Sequence, residues 1–142
     1  MPTTTRNANA EIVRRLFDAY EANDGAGLDG LLAPDFTAHG LPPQLGDGPE
    51  AMKATAALMH GALADCRCDI EDLIADDDRV AVRYTTRARH VGELFGAAPT
   101  GRNVTFTGIE IFRLRDGKVV EYWGEANMAE LFAPSGEPAN VG

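Results

Sequence analysis

Residues 79–90 alternate in polarity without a break. Val80, Val82, Tyr84, Thr86, Ala88 and His90 point one way; Arg79, Ala81, Arg83, Thr85, Arg87 and Arg89 point the other. A period of two over twelve residues belongs to a β-strand with one face buried and one in water. A strand that long cannot lie flat. It twists, and partners of similar length twist with it.

Such partners follow. Residues 103–115 form a second long strand, Asp116 and Gly117 supply a hairpin turn, and residues 118–126 return. Residues 66–75 form an earlier strand, joined to the first by the acidic turn 76–78. The first half of the chain reads as helices. In residues 10–23, Ile12, Val13, Leu16, Phe17 and Tyr20 make one apolar stripe, with Asn9 as the expected cap. Gly25 and Gly27 break it, a short helix spans 28–32, and Pro34 stops it. Residues 35–40 suggest a short strand and 41–47 a Pro/Gly loop. A third helix starts at Pro49, with Met52, Thr55, Ala56, Met59 and Leu63 facing inward. Residues 128–132 predict a short closing helix. Helices first and antiparallel strands after predict an α+β fold, its long sheet curled around the N-terminal helices with a ligand pocket between. One domain over 9–132 is expected, with disordered residues 1–8 and a flexible tail 133–142.

The 142 residues carry a net charge of -9, which disfavours nucleic acid and anionic membranes as partners. No stretch is long and apolar enough to span a bilayer and no signal-peptide core stands out, so a cytoplasmic location is expected. Cys66 and Cys68 share a strand face and are read as reduced thiols. No HExxH or CxxC spacing occurs, so no metal site is expected, and there is no GxSxG elbow or phosphate-binding Gly loop.

Three stretches carry a resemblance. They are VRRLFDAY (13–20) with LLAPDF (31–36) and His39; DRVAVRY (78–84) with HVGELFG (90–96) and PTGR (99–102); and FTGIEIFR (106–113) with DGKVVEYW (116–123). In that order and spacing the chain resembles the SnoaL-like polyketide cyclase group of the NTF2-like superfamily. The resemblance implies a cone-shaped α+β barrel, a homodimer, no cofactor, and a small apolar or aromatic carbonyl ligand. Such cyclases carry an acidic residue four positions after the tryptophan of the last strand. Here that position is Asn127, which cannot take up a proton at neutral pH. The position after the tryptophan, often Asp in relatives, is Gly124. Epoxide hydrolases of the superfamily use an Arg-x-Asp pair where this chain has Gly108-Ile109-Glu110.

Enolate chemistry needs a base, an oxyanion donor and dry walls. Glu110 lies mid-strand between two isoleucines and shares parity with Phe106, Gly108 and Phe112. It is either a pocket acid or base of raised pKa, or an outward carboxylate at a dimer face or paired with a strand arginine; in ketosteroid isomerases an acid on the corresponding strand donates to the oxyanion. His90 either reaches the pocket mouth or ends the strand at the surface, and His39 either serves the site or caps a loop. Asn127 and Trp123 would orient the substrate. Phe17, Tyr20, Met52, Met59, Tyr84, Phe106 and Trp123 would wall the pocket, while His60 is expected in solvent. The leading reading is a cofactor-independent cyclase or isomerase. The alternatives are a non-catalytic ligand-binding or dimerisation module, or a hydrolase or dehydratase using the same pocket.

Overall fold

In the computed structural model, which describes residues 2–132, five strands form one open sheet in the order β1-β5-β4-β3-β2. Strands β2 (Leu63–Ala75), β3 (Arg79–His90), β4 (Asn103–Arg115) and β5 (Lys118–Asn127) run antiparallel as a meander. Strand β1 (Leu32–His39) adds to β5 in parallel, so the sheet is mixed rather than wholly antiparallel. Chain order explains this: β1 precedes the meander and reaches its far edge by a long crossover, which permits parallel pairing. Pro34 lies inside β1, where the register breaks between Leu32 and Thr37. A proline has no N–H for the ladder, and an edge strand tolerates the gap.

The alternation of β3 is visible in burial. Val80, Val82, Ala88 and His90 are buried, and Arg79, Arg83, Arg87 and Arg89 are exposed; Thr85 departs from the pattern and is buried. At the β4–β5 turn, Asp116 (φ 53°) and Gly117 (φ 78°) both adopt left-handed backbone, which matches the twist of the strands they join. The β4–β5 register then shifts by one residue. Leu114 faces Val119 but Arg113 faces Glu121, leaving Val120 as the extra residue of a bulge. Both Val119 and Val120 are buried.

Helix α1 (Pro2–Glu21) begins well before the expected residue 10, inside the stretch read as disordered. Asn9 is not its cap. Asn9 lies within the helix, 6% exposed, and its Nδ2 donates to the carbonyl of Asp77 at 2.9 Å and of Asp76 at 3.4 Å. A tertiary need, tying α1 to the β2–β3 turn, thus places an asparagine where local pattern suggests a helix start. Helix α2 (Gly25–Leu31) is capped by Asp24, whose carboxylate accepts from the Gly27 amide at 3.0 Å. The two glycines read as breakers form its first turn, and a side chain at Gly27 would overlap the Asp24 carboxylate. Helix α3 (Pro49–Ala62) buries Ala51, Met52, Thr55 and Ala56. A 3-10 helix, Ala129–Phe132, follows β5. The tail 133–142 lies outside the described residues.

Two apolar clusters hold the helices on the sheet. Val13, Leu16, Leu28, Phe36, Val82 and Phe112 belong to the larger. Leu63, Ala88, Leu94, Val104, Phe106 and Leu131 belong to the second. Phe17 of α1 meets Tyr84 and Phe112 edge-on, with ring centroids 5.9 and 6.0 Å apart. No helix among the described residues is long and apolar enough to cross a membrane.

Asn9→Ala is expected to lower unfolding stability by about 1 kcal/mol, the usual loss for a part-buried hydrogen bond. Urea denaturation would show it as a lower midpoint; an unchanged midpoint would remove Asn9 as a tertiary anchor.

Candidate active site

A cavity lies between the helices and the inner face of the sheet and takes its lining from both apolar clusters. Its wall is mostly apolar with a few polar groups, the character of a site for a small organic molecule. Helix α1 contributes Leu16, Phe17 and Tyr20; helix α3 contributes Met52, Ala56, Met59 and the exposed His60. Tyr84 and Thr86 come from β3, Phe106, Glu110 and Phe112 from β4, and Tyr122 and Ala126 from β5.

Glu110 stands mid-sheet, paired with Val82 on one side and Gly124 on the other. It is half-buried, and its side chain points inward among aromatic rings. The Tyr122 hydroxyl donates to its Oε2 at 2.7 Å. Glycine makes this possible. A Cβ at Gly124 would overlap the Tyr122 phenol, and a Cβ at Gly108 would overlap the Tyr84 ring. Two tyrosines therefore lie flat over two glycines on either side of one glutamate. Burial pushes the Glu110 carboxyl up to about 7, while the Tyr122 hydrogen bond draws it back down. Burial first, and the nearby Glu110 charge second, push the Tyr20, Tyr84 and Tyr122 phenols above their ordinary value. A carboxyl poised near neutrality can both accept and return a proton at working pH.

The structure places Glu110, Phe17, Tyr20, Met52, Met59, Tyr84 and Phe106 around this one cavity. Four expected site residues are elsewhere. Trp123 faces outward, because its neighbour Tyr122 faces in. Its ring stacks on His39 at 5.4 Å and 18°, with the Arg79 guanidinium 5.8 Å from its centroid. His39 is likewise on the outer side, 2.8 Å through its Nε2 from Glu121 Oε2, while Arg113 Nε donates to Glu121 Oε1 at 3.0 Å. These partners, His39 foremost, hold the Glu121 carboxyl below the usual range. His90 is wholly buried and does not line the cavity. It sits where β3 ends against Leu63, and neither ring nitrogen has a hydrogen-bond partner among the described residues. Asn127 is exposed, and its Oδ1 accepts from the Ala129 amide at 3.0 Å, capping the final turn.

The sequence reading missed Tyr122 and the cavity-facing position of both cysteines, while His60 is exposed as expected although it also borders the cavity. Cys66 and Cys68 line the cavity from β2, and burial pushes both thiols up, Cys68 to about 11. Among the described residues no three His, Cys, Asp or Glu side chains are grouped to hold a metal ion.

Residues 10–134 match the model of a family described as SnoaL-like polyketide cyclase. Among curated proteins, the aklanonic acid methyl ester cyclase DnrD of Streptomyces peucetius is 28% identical over 135 residues, covering 90% of each chain. AcmA of Streptomyces galilaeus, of the same description, is 26% identical over 129 residues, covering 89% of each. Among solved structures, TsrD from Streptomyces laurentii superposes with a TM-score of 0.78 at 26% identity, over 86% of this chain and 90% of that one. IdmH from Streptomyces antibioticus does so at 0.73 and 28% identity, over 86% and 96%.

The raised Glu110 carboxyl has a consequence for stability. The folded chain holds this proton more tightly than the unfolded chain, whose carboxyl titrates near 4.5, so stability falls as pH rises from about 4.5 to about 7. Glu110→Gln is therefore expected to unfold at a higher temperature than the parent at pH 8, with the gap closing near pH 4. A gap independent of pH, measured by thermal unfolding across that range, would show the carboxyl to be unperturbed.

Proposed function

We propose that this chain, which belongs to the SnoaL-like polyketide cyclase family, closes a ring in a polyketide-like small carbonyl compound by cofactor-independent acid/base chemistry at Glu110. The observation that carries the reading is the Glu110 carboxyl, poised near neutrality on the wall of a mostly apolar cavity and held by a phenol. The names of the curated relatives support the substrate class.

In this reaction the Glu110 carboxylate takes the proton from a carbon between two carbonyls. The electron pair of that C–H bond moves onto a carbonyl oxygen as an enolate. Phenolic O–H groups of the cavity stabilise the oxyanion more than the ground-state carbonyl. The enolate carbon then attacks a second carbonyl, a C–C bond forms, and the new alkoxide takes its proton from the Glu110 carboxylic acid. Glu110 ends as it began, and the product is an isomer of the substrate. The Tyr122 hydrogen bond keeps the carboxylate form accessible at neutral pH. Burial alone would push the carboxyl further up and favour the protonated form over the base.

The finer expectations of a homodimer and a cytoplasmic location belong to the same proposal. Ile109 and Ile111 are 58% and 38% exposed on the outer face of β4, where a second copy would cover them.

Glu110→Gln is expected to lower kcat by about 10²- to 10⁴-fold, the usual contribution of a positioned acid/base group, while the variant keeps its fold. Conversion of aklanonic acid methyl ester, followed by liquid chromatography and mass spectrometry, measures it. Binding without turnover, unchanged by the substitution, would support instead a non-catalytic ligand-binding module.

A further inference from the structure

We infer that Tyr20 and Tyr84 are specificity-determining residues, a pair of unspent hydrogen-bond donors that select an uncharged ligand carrying an acceptor oxygen. The inference rests on the reading of the cavity as the ligand site.

The three phenols of the cavity are not equivalent. The Tyr122 hydroxyl is committed to Glu110. The hydroxyls of Tyr20 and Tyr84 have no hydrogen-bond partner among the described residues, although both side chains line the cavity. They approach from opposite walls, Tyr20 from α1 and Tyr84 from β3, and both feel the Glu110 charge. Phe17, fixed between Tyr84 and Phe112, and the Gly108 floor under Tyr84 hold that side of the cavity in shape. Burial keeps both phenols protonated, so each remains a donor at any pH near neutrality. A ligand that enters without an acceptor leaves two part-buried O–H groups that have given up water for nothing.

Charge sets the second criterion. Among the described residues no lysine or arginine lines the cavity, and the carboxylates there are Glu110 and, on α1, Glu21. Among the described residues its one basic side chain is the exposed His60. A carboxylate ligand would shed its water shell and meet like charge rather than a counter-ion. A ketone or ester of the same shape loses little and gains two donors.

Three naphthalenes of nearly equal size separate the criteria: 2-acetylnaphthalene, 2-ethylnaphthalene and 2-naphthoate. Their binding to the full chain would be measured calorimetrically at about pH 8. The ketone is expected to bind roughly threefold to tenfold tighter than the hydrocarbon, and at least about tenfold tighter than the anion. Tyr20→Phe and Tyr84→Phe should each remove several-fold of the ketone's affinity while leaving that of 2-ethylnaphthalene unchanged. A merely structural role would weaken both ligands alike. Equal affinity for ketone and hydrocarbon, tighter binding of the anion, loss of both neutral ligands in the variants, or no saturable ketone binding up to about 1 mM overturns the inference. The cyclisation assay on the same preparation keeps the two readings apart. Turnover without this order of affinities removes the selectivity alone, and the order without turnover removes the reaction alone.

Discussion

A β-strand gives only every second residue to one face, and the inner face of this sheet must serve both a core and a cavity. Strands β3 and β4 meet both demands by holding their mutual register unbroken from Arg79–Arg113 to Arg89–Asn103. At one end Val80 and Phe112 pack under the helices, at the other Ala88 and Val104 do the same, and between them the face opens. The middle of that stretch is where Glu110 projects. Had the register slipped by one, the glutamate would stand in solvent and Ile109 or Ile111 would fill the cavity.

The charge is kept inside by substitution of size rather than by a counter-ion. Gly108 and Gly124 leave room for two tyrosines to lie on the sheet, and one of them reaches the carboxylate. An arginine partner would hold a carboxylate permanently ionised, as Arg115 does for the exposed Asp35, whose carboxyl lies below its ordinary range. A phenol bonds to the carboxylate without neutralising it. The carboxyl is left between two protonation states, which a proton shuttle requires.

Much of this was legible in the residues. Period two marked β3, period 3.6 marked α1 and α3, and the parity of Glu110 with Phe106 and Phe112 singled it out while leaving its side open. Several of the errors share a cause, a long-range partner. Asn9 looks like a cap because its bonds to the β2–β3 turn are 67 and 68 residues away in sequence. Strand β1 gives no sign of which edge it will join. His39 and Trp123 read as site residues, yet they stack on each other outside. His90 has the right parity but lies beyond the end of the cavity. The adjacent valines, Val119 and Val120, were the visible hint on β5. Counted from Val119, Trp123 faces in; counted from Val120, Tyr122 does. Burial of both valines means a bulge, and the second count applies.

That bulge gives β5 an unusual tolerance to a change of length. Loss of the single codon for Val120 would remove the one residue that faces no partner, leaving Val119 opposite Leu114 and Glu121 opposite Arg113 as they stand now. Tyr122 would keep its place opposite Phe112, and its phenol its reach to Glu110. The extra valine therefore adds apolar volume to the core at the hairpin end of the strand while the faces beyond it stay as they are, so the core there can be trimmed or filled by a whole residue without turning the cavity wall around.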